Sequence, residues 1–304
     1  MSTKLCALVL LTLTKFSLQS NNDNFVVVST TERTSPLTEN TNKLDEIQTK
    51  LATLEAQIAK LQKTIQYKTN PETNTCTKHV PTNCKEIQKQ GHNVSGIYTI
   101  LPKYALEPFK VYCNMQTQGG GWTVIMNRYD GSQDFYLDWK SYKNGFGKLE
   151  GEFWLGLEKM HLLTGYEYNE LLIELVDWDN KQLHAHYQIF RVGDEVGQYA
   201  MDTLRGYSGT AGDYFSKEAG MKFTTKDRDN DVDATANCAD WSNGGWWYRN
   251  CKRAHLTGKL LGKTFPQADI WKRTYWIAPD GSNYSLKEVR LMVRPMRPKF
   301  MDIY

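Results

Sequence analysis

The sequence predicts an α+β domain built on a largely antiparallel sheet with long loops, preceded by an N-terminal coiled-coil helix. Three observations carry this. From Pro81 onward, short aromatic and β-branched runs are divided by Gly turns, the pattern of strands. No βαβ alternation and no internal repeat breaks that pattern, so a parallel crossover architecture is not expected. Ahead of the strands, Leu44, Ile47, Leu51, Leu54, Ile58, Leu61 and Ile65 recur at spacings of 3, 4, 3, 4, 3, 4, the a/d seam of a coiled coil.

The elements follow in sequence order. Within residues 1–20, Lys4 precedes an apolar run from Leu5 to Leu13 that Lys15 ends, which resembles a secretory signal peptide and is too short to cross a bilayer. Residues 21–37 are rich in Asn, Thr and Ser and read as a disordered lead-in. The coiled coil is assigned to 38–67. A lone amphipathic helix docked on its own domain gives the same spacing over two turns, but three heptads without a slip favour self-association. Mixed Leu and Ile at both seam positions leaves a dimer and a trimer open. Asn70-Pro71 stops the helix, and a linker over 68–80 carries Cys76. The globular domain spans 81–299. Ile97 to Leu101, Phe109 to Tyr112, Trp122 to Arg128, Leu171 to Val176, His184 to Phe190 and Val289 to Arg294 read as strands, and Trp154 to Leu163 as a short helix.

Composition narrows the function. A chain of 304 residues has length for one or two domains with a sizeable core. Its net charge is +3 with both signs interspersed, and no nucleic-acid motif appears, so no nucleic-acid partner is expected. Arg290, Arg294, Arg297 and Lys299 form the most basic part, read as a solvated end with a weak option on anions. No later run approaches the roughly 20 apolar residues of a membrane span, so a secreted, extracellular protein is expected. Catalysis finds little support. The nearest approach to a nucleophile elbow, Gly206-Tyr-Ser208-Gly-Thr210, ends in Thr, and HExxH and P-loop motifs are missing. His184 and His186 share one face of a predicted strand, where paired His are ordinarily surface or core residues. The protein is therefore expected not to be an enzyme.

Setting Cys6 aside with the leader leaves five cysteines. The natural local pairs in an oxidising compartment are Cys84 with Cys113 and Cys238 with Cys251, each worth about 3 kcal/mol in the chain-entropy model. Cys76 is left over, and an odd thiol in a secreted protein points to an interchain disulfide. A zinc site is the alternative use of these thiols, although no Cys-x-x-Cys knuckle is present. Asn93-Val-Ser95 and Asn283-Tyr-Ser285 are glycosylation sequons.

The most distinctive stretch runs from Asp227 to Cys251. Asp227, Asp229, Asp231 and Asp233 alternate with Arg228, Asn230 and Val232, then lead into a Cys pair enclosing Gly-Gly-Trp-Trp-Tyr. Like charges packed this closely suit a hard cation such as Ca²⁺. A solvated acidic loop without metal is the alternative; the adjoining Cys pair shifts the reading towards a metal loop. An EF-hand is excluded, because counting from Asp227 the sixth residue is Val232 rather than Gly and the twelfth is Cys238 rather than Glu.

The segment from Pro81 to Pro298 resembles a fibrinogen C-terminal domain, as in ficolins, tachylectins, angiopoietin-like proteins and the β and γ subunits of fibrinogen. The resemblance is carried by CKEI at Cys84, SGIYTI at Ser95, FKVYCNM at Phe109, Gly119 to Phe135, Gly145 to Thr164, the GGWWYRNC end of the acidic loop, and NYSLKEVRLMVRP from Asn283. A coiled coil without a Gly-X-Y repeat looks more like tachylectin-type proteins and angiopoietin-like ligands than like ficolins. The resemblance implies a Ca²⁺ site formed by the side chains of Asp229 and Asp231 and the carbonyls of Asp233 and Thr235. One extra residue before Cys238 departs from the family's pattern, so that Asp233 adds a charge or the carbonyl geometry changes.

In carbohydrate-binding relatives the resemblance also implies an acetyl pocket beside the metal, shaped by a cis peptide that falls here at Asn250-Cys251. The corresponding ligand-facing positions are Trp241, Ser242, Gly245, Tyr248, Asn250, Lys252 and Ser282. Three of these depart from the family's lining: Ser242 and Ser282 stand where aromatics are usual, and Lys252 where His is. An acetyl methyl gains from apolar walls, so these changes weaken the acetyl reading, and Lys252 offers a carboxylate or sulfate a partner instead. Trp246, Trp247 and Tyr248 read either as a sugar-stacking surface or as core. The expected function is a secreted, homo-oligomeric, Ca²⁺-binding lectin of innate immune recognition that binds glycans or acetylated groups. The alternative is an angiopoietin-like protein ligand of a cell-surface receptor.

Overall fold

The computed structural model describes residues 48–53, 55–59, 79–251, 254–277 and 283–296, with the side chains of Asn283 and Tyr284 excepted. The expected leader, the polar lead-in, Cys76, Lys252 and Ser282 lie outside the described residues, as does much of the heptad stretch. The protein divides into two compact units, Met1–Glu72 and Thr73–Tyr304.

In the first unit, residues 48–53 and 55–59 are helical. Leu51 and Ile58, seven positions apart in the expected seam, are 55% and 52% exposed. No helix among the described residues is long and apolar enough to cross a membrane.

The second unit begins with α1 (Cys84–Lys89), capped by Asn83, whose side chain accepts the Glu86 N–H. Strands β1 (Gly96–Ile100), β2 (Phe109–Asn114) and β3 (Trp122–Arg128) follow. Next come α2 (Trp139–Asn144), capped by Asp138, the two-residue strands β4 (Phe146–Gly147) and β5 (Phe153–Trp154), and α3 (Leu157–Thr164). Strands β6 (Asn169–Asp177), β7 (Gln182–Arg191) and β8 (Thr203–Gly209) then lead to α4 (Cys238–Ser242), β9 (Ala254–His255), β10 (Tyr275–Ile277) and β11 (Asn283–Pro295). The main sheet has the order β1-β2-β3-β11-β6-β7-β8, and every pairing between these strands is antiparallel. The expected α+β class and antiparallel sheet are thus observed. The last long strand, β11, inserts between β3 and β6, so the sheet's centre is completed only when the end of the domain returns.

Two sequence expectations shift. The helix begins at Leu157, not Trp154, because Trp154 pairs with Met126 of β3 and Phe146 of β4. The segment of the elbow-like Gly206 to Thr210 supplies most of β8, hydrogen-bonded along β7.

Burial is aromatic in character. Tyr142, Trp154, Phe223 and Trp247 form a contiguous cluster, with ring centroids 5.3 Å apart for Tyr142 and Trp154 and 5.0 Å for Phe223 and Trp247. Tilted and edge-to-face pairs of this kind add about 0.5–1.5 kcal/mol each beyond the area they bury. Two buried ionic groups brace the loops. Arg128 donates to Leu256 O at 3.2 Å, to Thr274 Oγ1 at 2.9 Å and to Gly258 O, and lies 4.1 Å from the Phe135 ring centroid. Desolvation lowers its pKa to about 10. Glu152 accepts the N–H groups of Tyr129, Asp130, Gly131 and Gln133, fixing the turn that follows β3.

Candidate functional site

The acidic loop leaves the core at Phe223 and returns at Trp246, where Thr224 and Trp246 form an antiparallel bridge. Its alternating acids do different work. Asp227 Oδ1 accepts from Thr225 Oγ1 at 2.7 Å and from the Trp139 N–H at 2.9 Å, which ties the loop to the start of α2. Asn230 donates to Phe223 O at 2.7 Å. Asp231 is half-buried: its Oδ2 accepts the Cys238 N–H at 2.9 Å and its Oδ1 the Asp233 N–H at 2.8 Å. Asp229 is exposed, and its Oδ1 lies 3.3 Å from the Asp231 nitrogen.

Burial first, and then the charge and hydrogen-bonding proximity of Asp229, raise the Asp231 pKa despite the two backbone donors. Two neighbouring acids on one turn, one of them poorly solvated, form an arrangement that a divalent cation relieves, and an all-oxygen donor set suits Ca²⁺. Asp229 and Asp231 therefore fit the expected ion as side-chain ligands. Asp233 turns the other way: its Oδ1 accepts the Thr235 N–H at 2.9 Å and Thr235 Oγ1 at 2.6 Å, bonds that lower its pKa. Only Oδ1 is engaged within its own turn; Oδ2 lies 4.0 Å from Cys251 Sγ, and the lowered pKa keeps the carboxylate ionised beside the loop, with the carbonyls of Asp233 and Thr235 as the expected donors.

The loop closes on a cystine. Cys238 and Cys251 are bonded with their Cα atoms 4.9 Å apart, as Cys84 and Cys113 are at 5.4 Å. Asp233, Cys238 and Cys251 bring potential ligand atoms together, but both sulfurs are spent in the disulfide and neither can act as a thiolate. The zinc alternative is overturned for these four cysteines. Asn237 caps α4 by accepting from Ala239 and Asp240, and Asn243 ends it in the left-handed conformation at φ 57°.

The expected ligand positions separate sharply. Trp241 is 38% exposed and stacks on Trp271 with centroids 5.9 Å apart, and Asn250 is exposed. Ser242, Gly245 and Tyr248 are buried instead. A Cβ on Gly245 would sit 2.8 Å from the Tyr142 ring, so that position is a close approach of backbone to aromatic core. The Tyr248 hydroxyl lies 2.7 Å from Gly244 O and 2.9 Å from His255 Nδ1. Tyr248 is thus core, as are Trp246 and Trp247, and this corrects the stacking role considered for them. Among the described residues no peptide is cis, so Asn250-Cys251 is trans, the form favoured by about 3 kcal/mol for a non-proline amide.

His255 was not anticipated. Desolvation holds its pKa down to about 3, so it is neutral at ordinary pH. Its Nε2–H donates to Ser242 O at 3.0 Å, and its Nδ1 lies 2.9 Å from the Tyr248 hydroxyl, which donates to Gly244 O. One buried imidazole therefore locks the end of α4 to the Trp-Trp-Tyr segment.

Residues 80–296 match the family described as fibrinogen beta and gamma chains, C-terminal globular domain. The protein belongs to the fibrinogen C-terminal domain family. Fibrinogen C domain-containing protein 1 of Mus musculus is 44% identical over 220 residues, covering 70% of this protein and 47% of that one. Angiopoietin-related protein 1 of Homo sapiens is 40% identical over 213 residues, covering 70% and 43%. The match thus spans about half the length of these curated relatives. Among solved structures, the fibrinogen-like globe domain of human ANGPTL2 aligns with a TM-score of 0.68 and 39% identity, covering 71% of this protein and 100% of that domain. Lamprey fibrin D-dimer, complexed with the peptide Gly-His-Arg-Pro-amide, aligns with a TM-score of 0.65 and 31% identity, covering 86% and 91%.

Proposed function

We propose that this is a secreted, non-enzymatic recognition protein whose fibrinogen-like domain carries a Ca²⁺ site at Asp229 and Asp231, with the carbonyls of Asp233 and Thr235. The observation that carries the reading is the approach of these two acids, with Asp229 Oδ1 3.3 Å from the Asp231 nitrogen and the Asp231 carboxylate half-buried and tied to the cystine. Bound Ca²⁺ neutralises the pair and holds the loop. This protein's own residues supply the recognition face beside it, where Trp241 stacked on Trp271 and the exposed Asn250 offer a ring face and an amide to a glycan. Extracellular sites of mixed carboxylate and carbonyl donors bind Ca²⁺ at roughly 10⁻⁴ to 10⁻³ M.

Single sites of this kind grip weakly, and oligomerisation multiplies them. The exposure of Leu51 and Ile58, seven residues apart in the helical stretches 48–53 and 55–59, supports a seam that takes up further copies of the protein. Disulfide bridges between copies at Cys76 and glycans on Asn93 and Asn283 belong to the same reading; Asn93 is exposed. A glycan array probed with the oligomer, with and without EDTA, tests the lectin reading. Ca²⁺-dependent sugar signals support it, and their complete absence ends it.

A second reading, a protein ligand of a cell-surface receptor, is favoured by the burial of Ser242, Gly245 and Tyr248, which leaves little apolar lining for an acetyl group. Likeness to angiopoietin-related protein 1 supports it as well. EDTA-resistant binding to cells, with no sugar signal, is its expected signature.

A further inference from the structure

A polar ladder crosses the open sheet far from the acidic loop in sequence. Asn127 of β3 is paired in register with Arg290 of β11, Arg290 with Glu174 of β6, and Glu174 with His184 of β7. Because paired residues in adjacent antiparallel strands point to the same face, all four side chains share one side of the sheet, at a strand spacing of about 4.8 Å. Hydrogen bonds follow that line: Arg290 Nε donates to Asn127 Oδ1 at 3.1 Å, and its terminal nitrogen lies 3.5 Å from Glu174 Oε2. At the far end Thr210 Oγ1 lies 3.4 Å from His184 Nδ1. The same residues line a groove of about 780 Å³, whose walls include Tyr112 and Tyr129, the latter 42% exposed.

We propose that this groove binds a neutral oligosaccharide at a second site, independent of the acidic loop and of Ca²⁺. Its volume lies within the 300–1,000 Å³ range of small-molecule sites. Its charge selects the ligand class. Arg290 is already engaged by Glu174, so sulfate, phosphate and carboxylate groups find no free guanidinium there, and Glu150 in the lining adds repulsion. A strongly cationic ligand gains little, because Glu174 is paired to Arg290 and Glu288 lies 3.8 Å from the Lys287 ammonium. What the ladder presents is a row of alternating donors and acceptors, Asn127, Arg290, Glu174 and His184, to a ligand whose hydroxyls do both. Tyr112 and Tyr129 supply ring faces for the C–H side of a sugar.

The test uses the full-length protein in excess EDTA, titrated with a neutral β-glucan hexasaccharide and a neutral mannan hexasaccharide, and with a heparin hexasaccharide and an oligolysine peptide as contrasts. Saturable binding of a neutral sugar is expected, weakened about tenfold by Tyr129→Ala and by Gln182→Ala, as loss of one stacking or hydrogen-bonding contact predicts. Tyr129→Phe should restore it, since the ring face is kept. Both positions are exposed, so melting temperatures close to the parent's separate lost contacts from lost folding. The double variant Asp229→Ala, Asp231→Ala should bind the neutral sugar unchanged in EDTA; loss of binding there would return the signal to the acidic loop and overturn the proposal. Binding of heparin or oligolysine in place of the neutral sugars, or no saturable sugar binding in EDTA, overturns it equally. Neither result touches the Ca²⁺-dependent loop reading, which is read from the sugar signal that EDTA removes.

Discussion

Asp231 holds the backbone N–H of Cys238 at 2.9 Å, so a carboxylate expected to bind metal is anchored to the cystine that closes its own loop. An ion held by this side chain would thereby be linked to the covalent closure of the loop.

On the proposed ligand set, Ca²⁺ should raise the melting temperature of the parent protein, and replacing Asp229 and Asp231 by Ala should abolish that rise. Thermal melts with and without the ion measure it. An undiminished rise would refute the ligand assignment.

The same pair sets a pH dependence. Burial and the neighbouring Asp229 raise the Asp231 pKa above 3.8, so without metal the protonated form is favoured by the fold. Stability from Asp231 is then fully present below 3.8 and is lost as pH rises through the raised value. Ca²⁺ bound at the proposed site would compete with that proton, so the expected Ca²⁺-dependent melting shift should shrink as pH falls through this window, starting above the range of an ordinary aspartate. A shift that stays constant down to pH 3.8 contradicts the coupling.

On the sheet face Glu170 behaves oppositely. Burial opposes its ionisation, but hydrogen bonds from His186 and Arg294 outweigh that and lower its pKa below 4.5. Its contribution is present above 4.5 and is lost as pH falls through the lowered value. Glu170→Gln should therefore melt below the parent at neutral pH, with the gap closing in acid. Parallel melting curves across the whole range would count against the assignment.

Removing the loop cystine with Cys238→Ser and Cys251→Ser should cost about 3 kcal/mol in urea unfolding, the chain-entropy value for a loop of this size. A cost near zero would mean that Asp231 and the cap of α4 hold the loop without it.

The two kinds of tryptophan should separate cleanly. Trp247→Ala removes a fully buried side chain and should destabilise by about 3–5 kcal/mol. Trp241→Ala removes an exposed one, and should cost under about 1 kcal/mol while weakening ligand capture at the loop face. Equal losses of stability would place Trp241 in the core.

Where local pattern and final burial agree, the sequence is read well. The strand Trp122 to Arg128 is recovered to the residue, and Leu171 to Val176 falls within β6, because both are apolar runs bounded by turns. Trp154 reads as helical because its partners Met126 and Phe146 are distant or lie beyond a turn, and pairing carries no local period. β8 escapes notice because two of its seven residues, Gly206 and Gly209, erase the alternation. Within the candidate site, the acids and cysteines announce themselves by type and spacing. The inward turn of Ser242, Gly245 and Tyr248 does not, since a loop has no periodicity to mark its buried side. His255 and Glu152 are single polar residues whose roles arise from groups they meet only after folding.

The bond from the Trp139 backbone N–H to Asp227, with the Arg228 guanidinium 4.1 Å from the Trp139 ring centroid, places a fluorophore at the root of the acidic loop. Cation uptake a few residues away should therefore alter the emission of Trp139 without any added dye. Comparing the parent with Trp139→Phe during a calcium titration would let the protein report its own ion occupancy.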